Sequence, residues 1–179
     1  ALRIKSVQPD IVIPANYYNE YALLVRTMQQ QRIVPKAIYS VLGGAASQYK
    51  FVQEFPEASN GIIDCNHWFN PKDPRAQALR KRVEAQGKFF NYEVFLTYTA
   101  MMYLADAIEK AKSRERGAIT QALANSTFSD HIMPYAATKV VNGQNTGARP
   151  LMTQVLNGDI KVIFPTDYRE AAPLFPMKG

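Results

Sequence analysis

The chain has 179 residues, 47% of them hydrophobic and 20% charged, with 9 Gly, 11 Pro and a single cysteine. This is an ordinary globular balance, long enough for a sizeable core, and it excludes a disordered or collagen-like chain. The formal charge is +6, from 21 Lys+Arg against 15 Asp+Glu. The basic residues gather at 75–88 and 110–116, mixed with Glu and apolar residues, which is the make-up of solvated helix faces; no nucleic-acid partner is expected. Cys65 alone allows no intrachain disulfide and no cysteine-rich metal site. No apolar run approaches the ~18 residues of a membrane span. Residues 1–5 lack the apolar stretch of a secretory signal, so any export signal is expected outside this chain.

Leu2 to Val7 reads as the last turns of a helix, and Gln8-Pro9-Asp10 stops it before a strand. A helix tail without a start predicts a natural chain that begins earlier. Ile11 to Pro14 is a short apolar strand of the buried kind. From 18 to 32, Tyr21, Leu24, Val25 and Met28 fall at helical spacing. Pro35 ends that helix, Ala37-Ile38-Tyr39 makes a second strand, and Gly43-Gly44 a turn. A helix over 47–55 and a third strand over 61–65 complete a β-α-β-α-β unit, the pattern of a parallel, doubly wound sheet.

The rhythm then changes. Asp73-Pro74 reads as an N-cap followed by Pro at the first helical position, with Gly87 closing the helix. Over 92–112, Val94, Tyr98, Met101, Ala105 and Ile108 step by four, three, four and three, which predicts a helix with a buried stripe. A third helix spans 117–125. Short strands at 137–141, 151–155 and 160–164 are punctuated by turns at Asn142-Gly143 and Asn157-Gly158. Three parallel strands, three helices and a small antiparallel ribbon do not close one sheet. Interleaved parts of two lobes are expected, with crossovers at 66–71 and 128–134.

Most catalytic signatures are missing: there is no G-x-G-x-x-G, no G-x-x-x-x-G-K-[ST] and no G-x-S-x-G. Cys65 and His67, two apart on an extended strand, share a face without being brought into hydrogen-bond reach. Asp64, Cys65 and His67 lack further metal ligands beyond His131, and Glu54, Glu57 and Asp64 form no acid/base pair. No catalytic residue, metal or cofactor is assigned, and an enzyme is not expected. In open α/β sheets ligands bind outside the carboxyl ends of the strands. Those ends carry Asn16 and Tyr17, then Leu42 and Gly43, then His67 and Trp68, with Tyr92 just before the long helix. Tyr and Trp offer a flat apolar wall with a polar edge, and Gly lets the backbone approach a ligand. Phe69 would equally serve as core at a crossover, whereas for Trp68 and Tyr17 the site reading is favoured over core.

The order Pro9-Asp10-Ile11-Val12-Ile13-Pro14-Ala15-Asn16-Tyr17, Pro35-Lys36-Ala37-Ile38-Tyr39, Gly61-Ile62-Ile63, His67-Trp68-Phe69, Leu104-Ala105-Asp106-Ala107 and Gln154-Val155-Leu156-Asn157-Gly158 resembles periplasmic solute-binding proteins of ABC-type importers, of the branched-chain amino-acid-binding type. The resemblance covers essentially the whole chain. It implies a type I periplasmic-binding-protein fold: two doubly wound α/β lobes with crossover strands, here incomplete, as the carboxyl-terminal half. Residues 1–65 would be a second-lobe βαβαβ segment. Residues 66–128 would be a crossover and first-lobe helices, and 129–179 the return crossover and a β-ribbon of the second lobe. The implied partners are a small-molecule solute, a membrane permease, and the missing N-terminal half or a second copy of the chain; the implied location is the periplasm. A ligand-sensing domain of the same fold is the alternative, although Ala172 to Gly179 looks like a natural tail. By position, Tyr17 matches a cleft residue, and the loop at Leu42 and Gly43 matches the place where relatives put an acid for the substrate ammonium. Here that loop has no carboxylate, which predicts an organic carboxylate without an α-amino group.

Overall fold

A computed structural model of the chain describes residues 1–41 and 45–177. Helix α1 (Leu2–Val7) ends at Gln8, whose left-handed backbone lets its N–H donate to the Ile4 carbonyl. Strand β1 (Ile11–Val12) is shorter than the predicted 11–14, because Pro14 has no N–H to donate to a ladder. Helix α2 (Tyr18–Gln30) buries Tyr21, Ala22, Val25 and Met28, the face that the spacing predicts. Strand β2 (Ala37–Val41) follows. The helix expected over 47–55 is divided into a 3-10 turn (Ala45–Ser47), α3 (Tyr49–Glu54) and α4 (Pro56–Ser59). Pro56 cannot continue the helix but suits the first position of the next one. Strand β3 (Ile63–Asn66) closes this part.

Helix α5 (Pro74–Glu84) starts as its sequence predicts, with the Asp73 carboxylate accepting the Arg75 N–H at 2.8 Å. Helices α6 (Tyr92–Ala111) and α7 (Arg116–Asn125) come next. Then follow β4 (Thr127–Phe128), β5 (Thr138–Val141), β6 (Gln144–Asn145), β7 (Leu151–Leu156) and β8 (Asp159–Phe164). Both Asn-Gly pairs have positive φ at both residues, which matches the twist of a two-residue hairpin.

The strands form two sheets. The larger has the order β1-β2-β3-β7-β8, with β1, β2 and β3 parallel and β7 and β8 antiparallel. The smaller is antiparallel, β4-β5-β6. The tail strands are therefore not one ribbon. The hairpin β7–β8 covers the open edge of β3, and β5–β6 belongs with β4.

The tail is strapped across the amino-terminal end of the larger sheet. The Gln154 amide donates to the Leu174 and Gly61 carbonyls, both at 2.9 Å, and its oxygen accepts the Leu174 N–H at 2.8 Å. The Met177 N–H donates to the Lys36 carbonyl at 2.9 Å. Gly61, at φ +86, is required here, since a Cβ would stand 3.0 Å from that of Met177.

Two apolar clusters lie against the larger sheet. One joins α2, α3, β1 and β2 through Tyr21, Val25, Met28, Ile38, Phe51 and Ile62. The other gathers Trp68, Phe69, Phe90, Phe95, Ile132 and Met133 with the hairpin residues Leu151, Val155, Ile160 and Val162. Leu79 and Val83 of α5 pack on this second cluster, which the hairpin β7–β8 and the first turns of α6 share. The structure differs from the sequence reading along α6. In α6 the stripe predicted to be buried faces solvent: Tyr98, Met101 and Ile108 are exposed, whereas Phe95, Thr99 and Ala107 are buried. Periodicity locates an apolar stripe but not what covers it.

Phe95→Ala is expected to cost about 3–5 kcal/mol of unfolding free energy, the loss typical of a buried aromatic. Met101→Ala, although on the predicted stripe, is expected to stay within about 0.5 kcal/mol in this chain, as other exposed positions do. Urea unfolding of the two variants checks both.

Candidate functional site

Because β1, β2 and β3 are parallel and adjacent, their carboxyl ends open on one rim. Of the sequence-predicted residues, Asn16, Tyr17 and His67 fall along it. Asn16 is exposed, and Tyr17, the N-cap residue of α2, is 86% exposed. At the end of β2, Val41 is exposed, and Leu42 and Gly43 lie outside the described residues. After β3, His67 is half-buried, its N–H donating to the Asn66 side-chain oxygen at 2.8 Å.

Trp68 departs from the sequence reading. Its indole is fully buried, stacked on Phe69 at 5.5 Å and edge-on to Phe95 at 5.6 Å. It offers no accessible wall to a solute in this structure, and its geometry is that of core at a crossover, against the site role that the sequence reading favoured. The reason is local: the chain turns away from the sheet after Asn66, and hydrophobic burial draws the larger ring inward. Its Nε1–H has no partner among the described residues. Tyr92, the first residue of α6, is half-buried against the same cluster. Burial raises its phenol above the ordinary tyrosine range, with the Glu93 carboxylate adding to the effect.

Beneath the rim lies a set of groups that motif reasoning passed over. Tyr21 on α2 shares a 2.5 Å hydroxyl–hydroxyl hydrogen bond with Ser40 of β2. Ser40 is the register partner of Asp64 on β3, so the two side chains share a face. The Ser47 hydroxyl donates to Asp64 Oδ2, and the Asn66 amide reaches the same oxygen at 3.5 Å. Ser40, Ser47, Asp64 and Asn66 are all at most 3% exposed. Asp64 Oδ1 has no partner among the described residues. Burial pushes the Asp64 carboxyl above the ordinary carboxylate range, opposed by the hydrogen bonds from Ser47 and Asn66. The same burial raises the Tyr21 phenol, against the Ser40 hydrogen bond and with the Asp64 carboxyl adding to it. The signal was present in the sequence: Asp64 and Asn66 stand two apart in an otherwise apolar strand, hence on one face.

Cys65, on the opposite face of β3, neighbours the Tyr39 phenol, which burial raises. Among the described residues no three of His, Cys, Asp and Glu come together as a metal site. A cavity of about 870 Å³ lies at the far end of the sheet, lined by Val25, Met28, Ile38, Pro56 and Met177. It is away from every candidate residue at the rim.

The family model for periplasmic binding proteins matches residues 1–159. The chain belongs to this family. Its fold is the type I periplasmic-binding-protein fold. The leucine-binding protein LivK of Thermotoga maritima superimposes with a TM-score of 0.73 at 22% identity, covering 90% of this chain and 45% of LivK. A putative branched-chain amino acid ABC transporter protein from Silicibacter pomeroyi gives 0.75 at 16% identity, covering 98% of this chain and 49% of its own. A branched-chain amino acid ABC transporter protein from Thermus thermophilus, solved with bound valine, gives 0.66 at 13% identity, covering 91% and 47%. No curated protein matches the chain. The chain thus spans about half the length of the solved structures that it matches.

The buried Asp64 makes this periplasmic binding protein sensitive to pH in a defined direction. A carboxyl raised in the folded state contributes stability that is fully present below its ordinary, unfolded value and is lost as pH rises through the raised value. Asp64→Asn removes this dependence while keeping an acceptor for Ser47. The variant is expected to gain stability relative to the parent as pH rises from acid to neutral. Thermal unfolding across that range checks it; equal slopes for the two proteins would contradict the assignment.

Proposed function

We propose that the chain is the carboxyl-terminal half of a solute-binding component of an ABC-type importer, located in the periplasm and delivering its solute to a membrane permease. The observation that carries this reading is the rim. The parallel strands β1, β2 and β3 end together, with Asn16, Tyr17 and His67 at the tips of β1 and β3. The family match over 1–159 supports it. The exposure of Tyr17 supports a role in closing over a solute held against a second lobe. Lobe closure is then a population shift, with the solute favouring the closed form.

The remaining half of the fold, or a second copy of the chain, is the proposed cover for α6. Its exposed Tyr98, Met101, Met102 and Ile108 present an apolar strip that a soluble protein ordinarily buries. The periodicity that predicted a buried stripe is on this view correct for the longer protein. Residues 74–84 are assigned to the second lobe, and α6, α7 and the smaller sheet to the first.

For the solute we propose an aromatic or other organic carboxylate, because the loop at Leu42 and Gly43 carries no acid. A buried ammonium there would lack a counter-charge.

Calorimetry on the full two-lobe protein is expected to show micromolar or tighter binding of a benzoate-type acid, and leucine at least tenfold weaker. Tight leucine binding would overturn the solute class, and no binding by a broad solute panel would overturn solute capture itself. Tyr17→Ala is expected to weaken binding by about 1–2 kcal/mol without lowering the melting temperature, as for an exposed aromatic anchor.

A further inference from the structure

His131, in the passage 128–134, is only 6% exposed. Its ring packs edge to face with Tyr135, centroids 4.7 Å apart, and with Phe128 at 5.8 Å. Its N–H donates to the Ser129 carbonyl at 2.9 Å, and its Nδ1 accepts the Met133 N–H at 3.4 Å. An imidazole that accepts at Nδ1 carries its one proton on Nε2. That nitrogen is buried and has no partner among the described residues. Between the two residues of this turn, the Ile132 carbonyl accepts the Asn70 N–H at 2.7 Å. The bond ties the passage leaving β3 of the larger sheet to the passage leaving β4 of the smaller one.

We propose that His131 is an acid-operated latch on this crossover: the neutral ring holds the turn 131–133 closed, and protonation releases it together with the Asn70–Ile132 bond. The latch does not depend on what the rim binds.

The chemistry of the ring sets the direction. Protonation turns Nδ1 into a donor, so the ring loses its one acceptor and sets a new N–H against that of Met133. Elements around it supply few charges. The Arg75 guanidinium, at the start of α5, donates to the His131 carbonyl at 3.0 Å and repels a second cation. Asp73 and Asp130 attract one, but both carboxylates are already engaged by Arg75. Strand β4 and helix α6 present the stacked rings of Phe128 and Tyr103, and the passage leaving β3 presents Asn70. Burial, with Arg75 adding to it, holds the imidazole below the ordinary histidine range, against its own carbonyl and the two carboxylates. A phenylalanine here would fill the space beside Tyr135 without stranding an N–H. What the imidazole adds is the acceptor at Nδ1 and its loss in acid. A closed turn that takes the proton less readily than the open one loses up to about tenfold in closure for each pH unit below the ordinary histidine value of 6.5.

The test is amide hydrogen exchange, expressed as protection, in the full-length protein at about pH 7.5 and about pH 5. Protection of Asn70 and Met133 is expected to fall about tenfold or more in acid relative to that of the hairpin β7–β8. His131→Asn, whose side-chain oxygen can stand in for Nδ1 but takes no proton, should keep both amides protected at either pH. His131→Phe, which has no acceptor, should leave Met133 poorly protected at both. NMR titration of the parent's ring should show it protonating below the ordinary histidine range. Unchanged protection in acid, an equal fall in the hairpin, a pH response retained by His131→Asn, or a ring that protonates at or above the ordinary range would each overturn the latch. Should neither variant fold, the exchange and ring titration of the parent still decide between these outcomes.

Discussion

Phe69 touches Trp68, Phe90 and Phe95 with ring centroids 5.0–5.5 Å apart, and on this contact the rest of the molecule depends. The four rings come from two passages of the chain: 66–71, leaving β3, and the approach to α6 with its first turn. A third passage, 128–134, lays Ile132 and Met133 on the same cluster, and the Asn70 N–H donates to the Ile132 carbonyl at 2.7 Å. Arg75 adds contacts to Asp73, Asp130 and the His131 carbonyl. The guanidinium is half exposed, and exposed ion pairs contribute about 0–1 kcal/mol. Each buried ring contributes several times that. The aromatic cluster therefore does the joining, and Arg75 orients what is already joined.

A join of this kind explains why one chain can carry two sheets with so little else between them. The larger sheet is finished on one face by α2, α3 and α5, and its amino-terminal end is closed by the Gln154 clamp on Leu174. The smaller unit is not finished. Tyr103 stacks on Phe128 at 5.5 Å and hydroxyl-bonds the Leu123 carbonyl, which ties α6 to α7 and β4, yet the outer stripe of α6 remains bare. The contrast follows from sheet size. Five strands offer a face on which helices can bury a stripe, whereas three short ones do not.

Local signals were legible in the sequence wherever they act through the backbone. The Asp73-Pro74 start of α5, the two Asn-Gly turns and the break before Pro35 all have short-range causes, and the structure shows each of them. The parallel β1-β2-β3 unit was legible for the same reason. Long-range partnership was not. Nothing local says that β7–β8 pairs with β3 and β5–β6 with β4, since both hairpins have the same turn chemistry. Nor could spacing show that Trp68 turns inward while His67 stays half out. At the rim, exposed Tyr17 was visible from its place after a strand, whereas the groups beneath were marked only by the spacing of Asp64 and Asn66. A serine or asparagine in a strand has no motif, and Asp64 acquires its meaning only from Ser47, 17 positions away.

That hidden layer bears on the charge problem at the rim. The nearest carboxyl below it belongs to Asp64, and burial drives that group towards its neutral form. To serve as the counter-ion for an ammonium it would have to carry a charge that its burial disfavours. The carboxyl meanwhile accepts the hydrogen bonds of Ser47 and Asn66. The absence of an acid in the loop at Leu42 and Gly43 and the presence of one beneath it are therefore not alternatives. The buried acid is already engaged by Ser47 and Asn66, and on the proposed reading the exposed Asn16 and Tyr17 and the half-buried His67 are the described groups left to face a solute.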